Sequence, residues 1–108
     1  MQVCDVSLRR AFSFLGKRWN GVIIATIGAL GPVGFADLKR AVTGITDSML
    51  SDRLTELASI SVVVRSVTTS KPPAVTYELT EEGKRLLPVF DQLARWAHGN
   101  LAECAGGR

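Results

Sequence analysis

Hydrophobic residues recur at helical spacing along much of the chain, and residues 47–60 show the pattern most clearly. Leu50, Leu54 and Leu57 recur at i, i+4 and i+7, the spacing that lines one face of a helix. Thr46 is a suitable N-cap for this helix. The opposite face carries short polar side chains, namely Ser48, Ser51, Asp52, Thr55 and Ser59. Such a face is either a solvated surface or one that enters a DNA major groove without steric conflict.

The segments before this helix are also predicted to be mainly helical. Residues 8–15 carry an apolar stripe. Residues 18–30 are apolar over so wide a surface that we expect the central core helix here, buried on nearly all sides. Residues 31–34 form a turn whose apolar neighbours can pair as a very short strand. A two-turn helix over 35–42 follows, closed by Gly44 in the left-handed cap position.

A β-hairpin and further helix are predicted after residue 60. Residues 62–68 are rich in β-branched side chains, and residues 74–80 alternate apolar with polar side chains. Thr80 is suited to cap a last helix, in which Pro88 predicts either a kink or the start of a second helix. More than one face of this last segment is apolar, which predicts burial against a second copy of the chain.

The composition fits one soluble domain spanning residues 1–108. The apolar fraction is 46%, which is enough for one core, and the charged fraction of 21% is near average. The net charge is +3, with a basic excess in residues 1–35 that suits a nucleic-acid partner. The longest apolar run is shorter than the ~20 residues that cross a bilayer. We therefore expect a soluble, cytoplasmic protein with no membrane partner.

Few residues suggest catalysis or metal binding. The chain shows no Ser/His/Asp set, no paired catalytic carboxylates and no Gly-rich phosphate loop, so we expect no enzyme activity and no cofactor. His98 and Cys104 do not have a metal-ligand spacing, so no metal site is expected. Cys4 and Cys104 are too far apart and too few for a secreted disulfide scaffold, which leaves inert thiols or a redox function.

The order helix, helix, turn, helix, hairpin, helix is that of a winged helix-turn-helix domain, an α+β and mostly α fold. The residues make the resemblance specific, because the chain resembles the HxlR family of bacterial transcription regulators from residue 4 to about residue 100. The matching motifs are Cys4-Asp-Val6, Leu15-Gly-Lys-Arg-Trp-Asn-Gly-Val-Ile-Ile24, Gly31-Pro-Val-Gly-Phe-Ala-Asp-Leu38, Gly44-Ile-Thr-Asp-Ser-Met-Leu-Ser-Asp-Arg-Leu-Thr-Glu-Leu57, Tyr77-Glu-Leu-Thr-Glu-Glu-Gly83 and the Trp96 region. The chain departs from the family at Ile60-Ser61, where a polar or glycine-containing turn is common, and at Val64, where an acidic residue is usual.

The resemblance implies a dimeric regulator that binds double-stranded DNA, and we expect a repressor on an inverted-repeat operator. The recognition helix is then residues 47–60, the wing residues 62–79 and the dimerisation segment residues 80–104. The candidate DNA contacts are Lys39, Arg40, Ser48, Met49, Ser51, Asp52, Arg53, Thr55 and Lys71. The candidate dimer contacts are Leu8, Phe12, Leu86, Phe90, Leu93, Trp96, Ala97 and Leu101.

Several of these roles have a structural alternative. Arg53 lies on the flank of the helix and either reaches a phosphate or pairs with Glu56 or Asp52. Lys39 is either a phosphate neighbour or a solvated charge, as is the adjacent Arg40. Lys71 at the wing tip is expected to contact the DNA backbone or minor groove. Phosphate contacts of this kind supply affinity and salt dependence rather than sequence preference.

Cys4 is the candidate for chemical control. It lies at the start of a helix, with Arg9 and Arg10 within two turns, and both features favour the reactive thiolate. In the family a cysteine recurs at this position, and in several members it senses electrophiles or oxidants, some by a disulfide to a C-terminal cysteine of the partner subunit. The resemblance therefore implies thiol control at Cys4, with Cys104 as possible partner. Alternatives are a constitutive or ligand-responsive regulator with inert thiols, and a winged-helix module that binds protein.

Overall fold

A computed structural model describes residues 6–101, and this part of the chain contains six helices and one two-stranded sheet. The mostly helical α+β class expected from the sequence is confirmed. In chain order the elements are α1 (Val6–Leu15), α2 (Asn20–Leu30), α3 (Phe35–Ala41), α4 (Asp47–Ser59), β1 (Val63–Val67), β2 (Val75–Leu79), α5 (Glu81–Lys84) and α6 (Leu87–Asn100).

The core lies between α2, α3, α4 and the end of the sheet where Val63 pairs with Leu79. Ile23, Ile24 and Ile27 of α2 are buried, and they meet Leu38 of α3 in one cluster. The cluster continues into α4 and the sheet through Leu50, Leu54, Leu57, Val63 and Leu79. Apolar burial of this kind stabilises by about 25 cal/mol per Å² and fixes α4 on the body of the domain.

Two expectations about α2 were wrong. The helix begins at Asn20, not at Arg18, because Trp19 takes a left-handed conformation (φ 85°) immediately before it. The helix is also not buried on nearly all sides, since the side chains of Val22 and Leu30 are about half exposed, at 52% and 50%. The rest of the chain covers only the side of α2 that carries Ile23, Ile24 and Ile27.

The hairpin is antiparallel, with Val63 opposite Leu79 and Val67 opposite Val75. Residue 33 extends it as predicted, because the Val33 amide donates to the Tyr77 carbonyl at 3.0 Å and the Tyr77 amide donates back at 2.8 Å. These bonds tie the segment before α3 to β2. The wing is thereby anchored to the helix-turn-helix.

The turn between α4 and β1 contains a non-glycine residue in a conformation that usually requires glycine. Ser61 takes a positive φ of 65°, a conformation that favours glycine. Its carbonyl accepts a hydrogen bond from the Thr80 hydroxyl at 2.6 Å, and the Thr80 amide donates to the Val62 carbonyl at 3.0 Å. Thr80 therefore fastens this turn to the end of the hairpin.

The last segment divides into two helices. Thr80 caps α5 as predicted, since its hydroxyl oxygen accepts from the Gly83 amide at 3.0 Å. Pro88 lies in the first turn of α6, so the second of the two arrangements expected for it is the one observed. Among the helices of residues 6–101, none has the length and apolar character needed to cross a membrane.

Candidate nucleic-acid interface

Helix α4 is fixed on one side and open on the other. Its start is capped as predicted, because the Thr46 hydroxyl oxygen accepts from the Met49 amide at 3.1 Å. The leucine stripe is buried, whereas the polar side chains opposite it are exposed, as is Met49. The exposed polar candidates are Ser48, Ser51, Asp52 and Thr55. The helix ends at Ser59, one residue before the predicted end.

The cations predicted beside α4 all pair with carboxylates. Lys39 lies 3.3 Å from Asp47, and Arg40 pairs with Asp37 one turn earlier on α3. Arg53 pairs with Glu56, so the structural role that the sequence left open for it is present. A contact between any of these cations and a phosphate would compete with a carboxylate that is already in place.

Glu56 is the centre of a small ionic network. One of its carboxylate oxygens accepts from the Lys17 ammonium at 3.0 Å, and the other faces Arg53. The hydrogen bond from Lys17 lowers the pKa of Glu56, and the nearby charges of Arg53 and Lys17 act in the same direction against the cost of burial. The network joins the loop after α1 to α4.

Lys71 lies at the exposed tip of the wing, as predicted. The base of the loop is held by the Thr68 amide, which donates to the Ala74 carbonyl at 2.8 Å, and by the Ala74 amide, which donates to the Thr68 hydroxyl at 2.9 Å. Within residues 6–101, no carboxylate pairs with Lys71. Its charge is therefore available to a partner.

The sequence reading missed two cations that flank α4. Arg65 of β1 lines a groove of about 420 Å³ between the wing and α4, together with Ser51, Thr55 and Tyr77. Arg18 in the loop between α1 and α2 lines a second groove of about 390 Å³ on the other flank of α4. Period-two alternation along β1 was a usable signal for Arg65, because it places this residue on the same face as the buried Val63.

The residues predicted at a dimer interface lie on α1, on α6 and just before α6, and most of them are not covered by the rest of this chain. Neither α1 nor α6 has a fully buried residue among those described. Leu86 and Phe90 are partly buried and pack against the chain's own core, and Ala97 is also partly buried. The other five are exposed, namely Leu8, Phe12, Leu93, Trp96 and Leu101.

An open groove of about 370 Å³ lies between α2 and α6. Its walls are almost entirely apolar. They are formed by Leu15, Gly21, Val22, Ala25, Phe90, Leu93, Ala94 and Ala97. The groove explains why Val22 remains exposed although its neighbours on α2 are buried.

The residues predicted for thiol chemistry, Cys4 and Cys104, lie outside the described residues. His98 is exposed on α6. In the described part of the chain, no group of three His, Cys, Asp or Glu side chains has an arrangement that could hold a metal ion.

Comparison with known proteins identifies the family. The model of the HxlR-like helix-turn-helix family matches residues 14–104, which is most of the chain. The chain belongs to the HxlR-like helix-turn-helix family. As an HxlR-family protein it is a winged-helix transcriptional regulator that binds DNA, and not an enzyme.

Relatives of this HxlR protein include the transcriptional regulator YodB of Bacillus subtilis, 41% identical over 90 residues that cover 83% of this chain and 80% of YodB. The reduced form of YodB superposes with a TM-score of 0.83 at 37% identity, covering 92% of this chain and 96% of that one. Diamide-treated and quinone-bound YodB both match with a TM-score of 0.75, at 35% and 38% identity. These two matches cover 94% and 86% of this chain, and 100% and 97% of theirs.

The redox regulator HypR is a second relative of known structure. Its oxidised form matches with a TM-score of 0.79 at 30% identity, covering 90% of this chain and 99% of that one. The two relatives share the winged-helix fold with this chain and have been studied under oxidation or with a quinone.

Proposed function

We propose that this HxlR-family protein is a homodimeric repressor that binds an inverted-repeat operator through α4 and is controlled by thiol chemistry at Cys4. The observation that carries the proposal is the exposed polar face of a helix whose leucine stripe is buried in the core. A helix held in this way presents its polar side chains as a rigid surface. Such a helix fits the major groove, which is about 12 Å wide.

The proposed base contacts come from the exposed face of α4. Serine and threonine hydroxyls bond to donors or acceptors of several bases, and Asp52 can accept from the amino group of cytosine. Met49 offers an apolar contact at the edge of this face. The Thr55 hydroxyl already donates to the Ser51 carbonyl at 3.0 Å, so its oxygen is free to accept rather than donate.

The proposed backbone contacts come from Lys71 at the wing tip and from Lys39 and Arg40 on α3. The two α3 residues would exchange a carboxylate partner for a phosphate on binding. Arg53 is the weakest of the proposed phosphate contacts, because its side chain is only 19% exposed and is paired with Glu56.

The homodimer is supported by the apolar surface of α1 and α6. Clusters of large exposed apolar side chains in a small domain mark interaction sites, and a second copy would cover the same side chains on both subunits. In the proposed dimer the two-fold axis runs perpendicular to the DNA, so the two copies of α4 face the same side of the duplex. The operator is then an inverted repeat whose half-site centres are ~34 Å apart or a multiple of that distance.

The thiol control rests on the relatives, because Cys4 and Cys104 lie outside the described residues. YodB has been captured after diamide treatment and with a quinone bound, and HypR in oxidised and reduced forms. In the proposed reaction Cys4 and Cys104 of the partner subunit lose two protons and two electrons to an oxidant such as diamide, which becomes the hydrazine. The new bridge alters the separation of the two recognition helices and weakens operator binding.

Selection from a randomised duplex library tests the DNA-binding part. The expected result is an enriched inverted repeat that the protein binds with one dimer per operator. Enrichment of a single half-site bound by one chain would contradict the dimeric arrangement, and no enrichment at all would contradict sequence-specific binding.

Oxidation tests the control. Diamide is expected to give a covalent dimer on a non-reducing denaturing gel and to lower the affinity for the selected operator. Dithiothreitol added to the oxidised protein should reverse both effects. The variant Cys4→Ser should retain affinity under diamide, and Cys104→Ser should lose the covalent dimer. Unchanged operator affinity in the oxidised wild-type protein would overturn the thiol mechanism.

A further inference from the structure

The cations around α4 differ in whether a carboxylate already neutralises them. Lys39, Arg40 and Arg53 each have an acidic partner. Arg18 and Arg65 have none among residues 6–101. A cation without a carboxylate partner has the most to gain from a phosphate, because it displaces counterions without giving up an existing ion pair.

Arg18 is held by an aromatic ring rather than by a carboxylate. Its guanidinium carbon lies 4.8 Å from the centre of the Trp19 ring, which is a cation–π distance. The left-handed backbone of Trp19 places the two side chains beside Met49 and Arg53 of α4. Stacking restricts the side chain of Arg18 but leaves the N–H groups at the edge of its guanidinium to donate.

Arg65 is placed by the hairpin. It lies opposite Tyr77 in the antiparallel register, and the two side chains line the groove that also contains Ser51 and Thr55. Arg65 itself is exposed. The wing therefore carries a second available cation besides Lys71, and this one lines the groove beside α4.

Helical geometry puts Arg18 and Arg65 on opposite sides of α4. At about 100° per residue, Met49 and Arg53 fall on one flank of the leucine stripe and Ser51 falls on the other. The first flank faces Arg18, and the second faces Arg65. The polar face that contains Ser48 lies between them. A helix with side chains is ~10–12 Å across, so in the major groove it has a phosphate backbone on each side.

We propose that Arg18 and Arg65 are a pair of phosphate contacts, one for each wall of the major groove occupied by α4. Trp19 positions Arg18, and the strand register positions Arg65. The inference rests on the proposed function, since it takes α4 as the helix that enters the groove. It adds two contacts that fix the depth and direction of α4 without reading sequence.

The dependence of DNA affinity on salt tests the pair. The logarithm of the association constant falls as the logarithm of the salt concentration rises. Arg18→Gln and Arg65→Gln are each expected to make this negative slope shallower by ~0.9 per half-site. They should weaken binding to the selected operator and to unrelated duplex by the same factor. Arg18→Lys should keep the wild-type slope, because it keeps the charge. Arg85→Gln is the matched control, since this exposed arginine directly after α5 pairs with Glu82 at 3.2 Å and should leave the slope unchanged.

The possible results distinguish a failure of the Arg18 and Arg65 phosphate contacts from a failure of the proposed DNA binding by α4. Slopes unchanged in both glutamine variants, with wild-type protein still binding, would overturn the inference alone. A change in only one variant would overturn the two-sided arrangement. Weaker binding confined to the operator would overturn the assignment to phosphates. Wild-type protein that binds neither duplex at low salt would overturn both the inference and the proposed function. Circular dichroism of each variant checks that the fold is retained.

Discussion

The ammonium of Lys17 donates to the carboxylate of Glu56 at 3.0 Å, across 39 positions of sequence. Lys17 follows α1, and Glu56 lies on α4, so this bond connects the loop after α1 to the proposed recognition helix. Arg53 pairs with the same carboxylate and completes the network. The network therefore links the α1–α2 loop to the flank of α4 that carries Arg53.

Replacing Glu56 with Gln should make stability less dependent on pH. The pKa of Glu56 is lowered in the folded protein, so its contribution is complete above the unfolded value of about 4.3 and is lost as pH falls through the folded value. We expect Glu56→Gln to lose about 1 kcal/mol of unfolding free energy at pH 7 and to converge with wild type in acid. Urea titrations at several pH values measure this.

The control for that prediction is Asp91→Asn, which removes an exposed pair with Arg95 on α6. It should change the stability little at any pH. A Glu56→Gln difference that persists unchanged at pH 3 would show that the ionised carboxylate is not what stabilises the network.

Removing the Thr46 cap should loosen the start of α4. Thr46→Ala deletes the acceptor for the Met49 amide and should lower the unfolding free energy by about 1 kcal/mol. Because Ser48 and Met49 lie in the affected turn, operator affinity should fall as well. Thr43→Ala, in the turn before α4, is the control and should be close to wild type in both urea titration and DNA binding. Equal behaviour of the two variants would be inconsistent with the cap.

A charge on the apolar surface of α6 should separate the proposed dimer without unfolding the chain. Leu93 is 57% exposed in the single chain, so Leu93→Glu should fold normally and sediment as a monomer. Ile60→Glu places the same charge on an exposed apolar residue outside α1 and α6 and should leave the sedimentation coefficient unchanged. A Leu93→Glu protein that remains dimeric would move the interface elsewhere.

Gly83 should be intolerant of any side chain. A Cβ there would overlap the Val62 carbonyl oxygen, which already accepts from the Thr80 amide. We expect Gly83→Ala to lose about 2–3 kcal/mol, measured by urea unfolding. Gly99→Ala on α6 meets open space and should be neutral or stabilising by up to about 1 kcal/mol. A Gly83→Ala protein as stable as wild type would contradict the close approach.

The local features of the fold were predictable because short-range chemistry decides them. Spacing alone identified the buried stripe of α4, and residue type identified the caps at Thr46 and Thr80. Gly44 has the expected positive φ of 95°, but α3 ends at Ala41 with Val42 as its C-cap, so Gly44 lies in the following turn and not at the cap position predicted for it. Each of these depends on neighbours within about one helical turn, which is the range that a sequence pattern reports.

The features that depend on distant contacts were not predictable. The exposure of Val22 depends on how far α6 packs across α2, and the left-handed Trp19 depends on how its loop closes. Ion pairs decide which cations are available. The sequence left open whether Lys39 and Arg53 contact phosphate, and in the fold both have acidic partners in place. Arg18 and Arg65, which have no carboxylate partner among residues 6–101, lie on opposite flanks of α4 through tertiary packing, although strand alternation was a usable signal for Arg65 alone.

The central claim is that the polar face of α4 enters the major groove of DNA. The most direct test measures the dissociation constant for the selected operator in the wild-type protein and in the variants Ser48→Glu and Gln92→Glu. A glutamate in the first turn of α4 favours the helix dipole, so it should not destabilise the fold. Against DNA, like-charge contact costs several kcal/mol, so Ser48→Glu should bind at least ~10-fold more weakly. Gln92→Glu adds the same charge on α6 and should bind like wild type. Equal affinity of Ser48→Glu and Gln92→Glu would contradict the account.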